Sequence, residues 1–574
     1  MKKIIFLLPL AADLSAQNLE KIGKEDMLTL SGGMNYSAVY TETSGLPAYR
    51  DPFNWYFNGN VTASVLDVSL PFTYSYTNRR SNYTQPFNIQ AFTPSWKWIK
   101  GYAGFTSMNF SPYTLLGHLF LGGGLELSPK SWKLAGMYGR LKKAAPADPL
   151  SGSDEGLAYR RMGWGAMAAY EKNGQGFSLI CFSAKDDAGS LLFIPPSSRV
   201  TPAENAVLSI SGKTVLRKQL RLSAEYALSG LTLNTRANDS VGFPPKNKLP
   251  FLFRAKTNSQ FFDALKSNLA WQKKRWSLTL GYERIAPGYQ TLGAYFFNND
   301  LENITLAPTA NLFKGKLNLA LNAGLQRNDL DGAKLNSTRR WVAAGNLNFS
   351  PSPKLNFTAG YSNFSTFTRT VPHSDPFYQQ ALDTLQFYQL AQQGNCGMSF
   401  RFGNKMRAQS LQLNAAYQRS GQFSGAISDP GLFGNVGNII PTEVLNANLS
   451  YSLSFTKSKT VLSLLGNCNR GAFPQQLHTL HYGPGLNLAQ AFRRNTIRLS
   501  LGSTYNAMLS GQEQKINSRS DILSHRAGLS WNPKASNEKL GRISLSAGTV
   551  FLQKFSANGP RYSFTGNFGA GYSF

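Results

Sequence analysis

The sequence has no apolar run long enough to cross a membrane as a helix. The stretch from Ile4 to Leu10 falls well short of the roughly 20 residues that a spanning helix needs. Cysteine is scarce, and the three residues Cys181, Cys396 and Cys468 are odd in number and far apart, unlike a disulfide framework. Charged residues are only 16% of the chain, against roughly 25% in ordinary globular proteins. These shortages argue against a helical membrane protein and a disulfide-stapled domain.

The amino terminus has the layout of a secretory signal peptide. Lys2 and Lys3 precede the apolar run, and Leu14-Ser15-Ala16 offers a small-residue cleavage site before Gln17. We therefore predict a signal peptide over 1–16 and a short periplasmic lead over 17–26, with no cysteine near the cleavage site to carry a lipid. The net charge of +29 would ordinarily suggest nucleic acid. An exported chain rarely meets nucleic acid, so no nucleic-acid partner is expected.

What the chain does have is alternation of apolar and polar residues with a period of two. In 317–326, leucines and an alanine alternate with asparagine, alanine, glycine and glutamine, and similar patterns fill 275–283, 341–350 and 355–362. Successive side chains of a strand point to opposite faces, so this pattern predicts amphipathic strands rather than helices. By the same parity, all three cysteines fall on the apolar face.

The connections between these segments alternate between short and long. Short turns, such as those at 129–130, 172–174 and 273–274, alternate with long polar connections, such as 142–160, 187–204 and 231–258. This is the layout of a transmembrane β-barrel with short periplasmic turns and long extracellular loops. The prediction is an all-β chain whose residues 27–574 form a single large antiparallel transmembrane β-barrel of about 26 strands (range 22–26), with strand 1 paired to the last strand.

The last strand carries the most specific pattern. Tyr562, Phe564, Phe568, Tyr572 and Phe574 share one parity, and small or polar residues occupy the other. This strand resembles the insertion signal of outer-membrane β-barrels, and the layout of the whole mature chain resembles barrels of the Bacteroidota type. The resemblance implies a location in the bacterial outer membrane. It also implies membrane lipids and the outer-membrane insertion machinery as partners, with Phe568, Tyr572 and Phe574 as the signal.

Many of the basic residues cluster at the short turns. Two interpretations remain open: they contact anionic headgroups of the inner leaflet, or they dock an acidic periplasmic protein. The residues at and beside these turns are Lys130, Lys133, Lys172, Lys213, Arg217, Lys218, Lys273, Lys274, Arg275, Lys314, Lys316, Lys354, Lys405, Arg407, Lys457, Lys459, Arg493, Arg494, Lys534 and Lys539.

Parity also assigns ten charged residues to the lumen. They could pair across neighbouring strands and stiffen the wall, or they could line a pore that favours anions. The basic members are Lys133, Arg161, Arg221, Arg401, Arg498 and Arg542, and the acidic members are Glu126, Glu171, Glu225 and Glu283.

Other constellations do not indicate chemistry. His478 and His481 lack further metal ligands in pattern, and the glycines from Gly122 to Gly124 lack the context of a phosphate loop. We therefore predict no enzyme activity, no catalytic residues, no metal site and no cofactor. Two segments, 231–258 and 374–393, are candidates to fold into the mouth, because a wide barrel without a filler would leak.

Two functions remain open at this point. The first is a porin-like channel that passes polar solutes, including anions. The alternative is a non-conducting structural or secretion-apparatus barrel that docks periplasmic partners through its basic turns.

Overall fold

A computed structural model gives the fold of most of the chain. It describes residues 28–44, 52–65, 67–78, 89–146, 156–195, 198–236, 245–295, 297–333, 339–363, 389–422, 441–473, 477–512, 515–533, 541–555 and 559–574. The predicted signal peptide, the predicted lead and most of the candidate mouth segment 374–393 lie outside these residues.

The described chain is built almost entirely of β-strands. No helix in it is long and apolar enough to cross a membrane. The strands are β1 (Leu28–Ser44), β2 (Phe53–Val65), β3 (Val68–Thr77), β4 (Ile89–Phe92), β5 (Ser95–Trp96), β6 (Ile99–Asn109), β7 (Leu116–Leu127), β8 (Trp132–Lys142), β9 (Arg161–Lys172), β10 (Gln175–Asp186), β11 (Glu204–Leu216), β12 (Leu220–Thr232), β13 (Ser259–Gln272), β14 (Trp276–Ile285), β15 (Leu301–Leu312), β16 (Leu317–Arg327), β17 (Arg339–Ser352), β18 (Leu355–Ser362), β19 (Gln389–Gly403), β20 (Arg407–Gln422), β21 (Pro441–Phe455), β22 (Thr460–Phe473), β23 (Leu477–Phe492), β24 (Ile497–Gln512), β25 (Lys515–Trp531), β26 (Arg542–Phe555) and β27 (Arg561–Ser573).

The strands close into one antiparallel barrel. Each strand pairs with its neighbours in the chain, and β1 pairs with β27 from Gly33 opposite Ser573 to Ser44 opposite Tyr562. The short strands β4 and β5 both lie between β3 and β6, so together they form one interrupted strand. The barrel therefore has 26 strands around its circumference. The predicted fold class, strand number and closure are therefore confirmed.

The outer surface of the barrel is apolar. Ile210, Leu280, Leu321, Leu449 and Leu464 lie on it with about half of each side chain exposed, and the three free cysteines have the same outward parity. A closed sheet has no unpaired edge, so its backbone polar groups are satisfied within a bilayer. The closed sheet and the apolar exterior are those of a bacterial outer-membrane β-barrel.

Aromatic side chains bound this apolar surface at both ends of the strands. Toward the short turns, Trp271 and Trp276 pack edge to face with ring centroids 5.0 Å apart, and Phe349 stacks on Phe357 at 6.4 Å. Toward the longer loops, exposed residues such as Trp341 mark the other end of the same outer face. Such aromatic girdles sit at the two membrane interfaces, and the end with the short turns corresponds to the periplasmic end of an outer-membrane barrel.

The main hydrophobic core lies inside the barrel. Two connections between strands, 110–115 and 286–295, fold against the inner wall of β7–β14, where Phe182, Val207 and Ala264 are fully buried. We call these two segments the plug. The described part of the other predicted mouth segment, 245–258, instead packs Leu249 and Phe253 against outward-facing residues of β11–β13. It therefore does not fill the lumen.

Candidate functional site

The two plug segments are fixed to each other by hydrogen bonds. The Tyr289 hydroxyl donates to the Tyr113 carbonyl at 2.8 Å, and the Thr291 hydroxyl donates to the Thr114 carbonyl at 2.6 Å. Leu115 and Gly293 form a parallel bridge. The plug consists of two segments that are far apart in the chain. Its position is therefore set by the barrel strands that hold both segments.

The plug is also bonded to the inner wall. Asn205 of β11 accepts from the Leu292 N–H at 3.1 Å, and the Ser229 hydroxyl of β12 donates to the Gln290 carbonyl at 2.7 Å. Gly288 has a φ of +79° at the turn of the second segment, where an added Cβ would lie 2.6 Å from the Phe262 ring. Buried polar groups that find partners in this way cost little and fix one arrangement.

Tyr113 links the plug to the charges of the wall. Its side chain is 1% exposed, and its hydroxyl donates to a carboxylate oxygen of Glu283 at 2.5 Å. Burial, and then the negative charge of Glu283, raise the pKa of Tyr113 well above its ordinary value. The phenol therefore stays protonated and donates this hydrogen bond.

Charges of alternating sign run along the wall beneath the plug. The Lys133 ammonium lies 3.0 Å from Glu126, that of Lys213 lies 2.5 Å from Glu171, and that of Lys266 lies 3.6 Å from Glu283. Opposite charges on neighbouring strands stabilise a sheet and leave little net field. A cavity of about 370 Å³ opens between this row, Asn109 at the end of β6 and the plug residue Phe110.

Three further charged residues on this side of the lumen have partners. Glu225 accepts from the Ser209 hydroxyl at 2.7 Å and lies opposite Lys266 in the strand register. Arg161 makes a two-point ion pair with Asp186, with nitrogen–oxygen distances of 2.8 and 3.0 Å. On the lumen face of the described strands, every acidic side chain thus has a hydrogen-bonding or ionic partner.

The opposite wall, from β15 to β23, is lined by uncharged polar residues. Strand register places Asn318, Asn348, Thr358, Gly397 and Asn414 side by side across five of these strands. Asparagine pairs continue the lining, as where Asn467 donates to Asn506 at 2.7 Å. Among the lumen-facing side chains described on these nine strands, Arg401 is the one charged group.

Five exposed lumen arginines have no acidic partner within ion-pair distance among the residues described. Arg401 lies on β19 within the uncharged region, and Arg498 lies on β24 beside it. Both face the lumen, because each is in register with a serine that faces inward. All five are exposed to the lumen, and they are Arg221, Arg401, Arg498, Arg526 and Arg542.

The structure places the ten predicted lumen residues on the inner face. It divides them, however, into a paired set on the wall under the plug and a set of free arginines, of which Arg221 lies on β12 of that wall and the others lie outside it. Sequence parity alone missed Lys266, Asp186 and Arg526, although each shares the parity of its small inward neighbours. It also missed Tyr113 and Tyr289, because a connection of a few residues gives no sign that it folds into the lumen.

The predicted insertion residues lie on the outer face of β27. Phe568 packs near Tyr36 of β1 with ring centroids 6.4 Å apart, and Tyr572 stacks on Phe574 at 5.5 Å. The backbone of Phe574 exchanges hydrogen bonds with Gly32 at 2.9 and 3.1 Å. These contacts close the seam, and the role of the three residues in insertion stays a prediction.

No metal centre is indicated. No group of three or more histidine, cysteine, aspartate or glutamate side chains among the described residues could hold a metal ion. His478 and His481 lie three positions apart on β23 and therefore on opposite faces of the sheet. The predictions that the chain has no enzyme activity and no cofactor stay predictions.

Comparison with known proteins gives likenesses of shape alone. No family model and no curated protein matches the chain. Among solved structures, the P pilus usher (PapC) translocation pore shares 12% identity over 95% of this chain and 99% of that chain, with a TM-score of 0.40. Acinetobacter baumannii OccAB1 shares 8% identity over 72% and 95%, with a TM-score of 0.31. Pseudomonas aeruginosa OccK8 (OprE) shares 8% over 72% and 96%, with a TM-score of 0.29.

Likenesses this distant carry no argument about what the chain does. The assignment to the outer-membrane β-barrels rests on the strand pairing, the closure and the apolar exterior of the chain itself. Its resemblance to barrels of the Bacteroidota stays a prediction.

Proposed function

We propose that this protein is a channel that passes polar solutes across the outer membrane, with a modest preference for anions. The observation that carries the proposal is the imbalance of free charge in the lumen. The acids are paired or hydrogen-bonded, whereas five arginines face the lumen without an acidic partner among the described residues. Rings of basic side chains in a pore attract anions by ordinary electrostatics.

The uncharged wall supports passage rather than tight binding. Its amides and hydroxyls can exchange hydrogen bonds with a hydrated solute, and conduction requires binding that is weak enough to release. The plug covers the wall of β7–β14, so the solute path that fits the described residues runs along β15–β24. The row of paired charges under the plug then serves mainly to hold the plug in position.

The test is the reversal potential of single channels in planar bilayers across a salt gradient. We expect the unmodified protein to conduct and to favour anions, and Arg401→Gln with Arg498→Gln to lower that preference. A matched control is Arg284→Gln with Arg519→Gln, which removes two arginines that pair with Asp263 and Asp521 on the outer face. The control should keep the preference.

Three results would argue against the proposal. Cation preference in the unmodified protein would contradict the selectivity. An equal loss of anion preference in the variant and in its control would show that the lumen arginines do not cause the preference. A barrel that inserts but stays silent, and that co-purifies with a periplasmic protein, would support the alternative of a structural or secretion-apparatus component.

A further inference from the structure

Exposed basic residues form a ring at the periplasmic ends of the strands. We call this ring the basic collar. Lys133, which the sequence assigned both to these turns and to the lumen, points into the lumen, as does Lys213. Lys534, Lys539 and the side chain of Arg494 lie outside what the structure describes. The collar consists of Lys97, Lys130, Lys172, Arg217, Lys218, Lys273, Lys274, Arg275, Lys314, Lys316, Lys354, Lys405, Arg407, Lys457, Lys459 and Arg493.

Several collar residues hold a backbone conformation that glycine or asparagine would adopt more easily. Among the residues described, twelve that are not glycine have positive φ, and seven of these are collar lysines or arginines. Lys97, Arg217 and Lys314, for example, have φ values of 50°, 50° and 56°. Left-handed conformations are unfavourable for long L side chains. The positive charge is thus present at these turns despite a local conformational cost.

Ion pairs occur on the outer surface toward its extracellular end, unlike in the collar. There, Lys185 pairs with Glu204 at 3.0 Å, and Arg327 pairs with Glu302. Further outward pairs join Arg284 to Asp263 and Arg419 to Glu443, each at 3.3 Å. In the periplasmic turns that the structure describes, Asp67 is the single acidic residue, and no ion pair involving a collar residue is found there. Acidic partners thus accompany several outward-facing bases at the extracellular end, whereas the described periplasmic turns offer the collar almost none.

The collar lies beside the aromatic girdle, at the level of the membrane surface. The Lys273 ammonium lies 5.6 Å from the centre of the Trp271 ring, and the Lys97 ammonium lies 5.1 Å from that of Trp96. Tryptophan rings in a girdle sit at the headgroup level. The turns are short, so the lysines and arginines have no long loop that would carry them away from that level.

We propose that the basic collar binds the phosphate groups of anionic phospholipids in the periplasmic leaflet. Collar residues surround the barrel from the turn after β5 to the turn after β23, as lipids surround a barrel, whereas a docked protein would need one patch. The densest segment is formed by three neighbouring turns, 217–218, 273–275 and 314–316, between β11 and β16. This proposal does not depend on whether the lumen conducts.

The test measures which lipid stays bound to the full-length barrel. The protein is reconstituted in mixed phosphatidylcholine and phosphatidylglycerol, extracted in mild detergent, and its retained lipids are counted by native mass spectrometry. We expect the unmodified protein to retain phosphatidylglycerol preferentially. The triple variant Lys273→Gln, Lys274→Gln and Arg275→Gln should lower the preference at that segment by roughly fivefold per neutralised cation.

A matched control removes the same three charges at the other end of the barrel. Lys246→Gln, Lys248→Gln and Arg254→Gln change two lysines and one arginine that are exposed in the extracellular connection between β12 and β13. This control should retain phosphatidylglycerol as the unmodified protein does. The charge-keeping variant Lys273→Arg with Lys274→Arg should also retain it, which separates charge from misfolding.

The outcomes that overturn the proposal are distinct. An unmodified protein with no preference between the two lipids would overturn it, and so would equal losses in the collar triple and the extracellular triple. Loss of preference in the charge-keeping variant would show that charge is not the cause. Absence of a lipid preference, with an acidic periplasmic protein released by the collar triple, would identify a protein-docking surface instead.

Discussion

The two sides of the lumen build a polar interior in different ways. Under the plug, on β7–β14, charged residues of alternating sign pair along the wall, and Tyr113 joins the plug to that row through Glu283. From β15 to β23 the lining is asparagine, serine, threonine and glycine, with Arg401 as the one charge among the described lumen residues. The side on β7–β14 holds the plug in place, and the side on β15–β23 exposes a polar surface to solutes.

The difference shows that counting charges by parity does not measure the field in a pore. The ten lumen residues predicted from the sequence are six basic and four acidic, which implies a slight excess of positive charge. Pairing removes the acids and several of the bases from that balance, because opposite charges in contact leave little field at a distance. What remains is a set of arginines concentrated outside the plugged region.

The seam between β27 and β1 serves both sides, so disrupting it should have the largest effect. Phe568→Ser with Tyr572→Ser should abolish most assembly of the folded barrel, because these outward aromatics close the seam and resemble an insertion signal. The measurement is the amount of heat-modifiable barrel in isolated outer membranes. The control Phe349→Ser with Phe357→Ser removes an outward aromatic pair within an internal hairpin and should assemble better. Equal amounts of folded barrel for both variants would show that the last strand has no special role in assembly.

Truncating the plug should cost far more than truncating the uncharged wall. Tyr113→Ala should lower the free energy of unfolding by about 3–5 kcal/mol, the usual cost of removing a buried aromatic side chain. Asn414→Ala on the exposed wall should change it by less than about 0.5 kcal/mol. The measurement is denaturant unfolding in lipid, paired with single-channel conductance, which should rise for Tyr113→Ala alone.

A smaller change separates the hydrogen bond of Tyr113 from its packing. Tyr113→Phe keeps the ring and removes the bond to Glu283, which should cost about 1.5–3 kcal/mol, the range for a bond to a charged group. If Tyr113→Phe and Tyr113→Ala lost the same stability, packing of the ring would contribute nothing and the plug would be held by the hydrogen bond alone.

The facing of strands on the uncharged side can be tested within one strand. Leu321→Arg places a charge on the outer face of β16 and should cost roughly 2–4 kcal/mol near the middle of the bilayer. Asn322→Arg points into the lumen and should cost about 0–1 kcal/mol. The free energy of unfolding in lipid vesicles measures both, and equal costs would mean that the assigned faces of β16 are wrong.

Periodicity and turn spacing predicted the barrel well because both depend on local chemistry. Alternation at Leu317–Gln326 fixes which residues face lipid, and short basic turns such as Lys273-Lys274 mark the hairpins. The plug was not predictable in this way. Tyr113 and Tyr289 meet through contacts between segments distant in the chain, and no local pattern encodes such a meeting. The pairing of Arg161 with Asp186 was missed for a different reason, because the two residues are directly opposite in the β9–β10 hairpin and the register from the predicted turn at 172–174 was not followed to the strand ends.

The smallest expected effect separates the basic collar from the free arginines inside the lumen. Charges at the rim act over about 10 Å at 0.1 M salt and about 3 Å at 1 M, whereas charges within the lumen are screened less. Lys273→Gln with Lys274→Gln should therefore lower anion preference slightly in dilute salt and leave it unchanged in concentrated salt. Arg401→Gln with Arg498→Gln should lower it at both concentrations, as read from reversal potentials. If the two variants showed the same dependence on salt, the contrast between a paired side and a side with free arginines would have no part in selectivity.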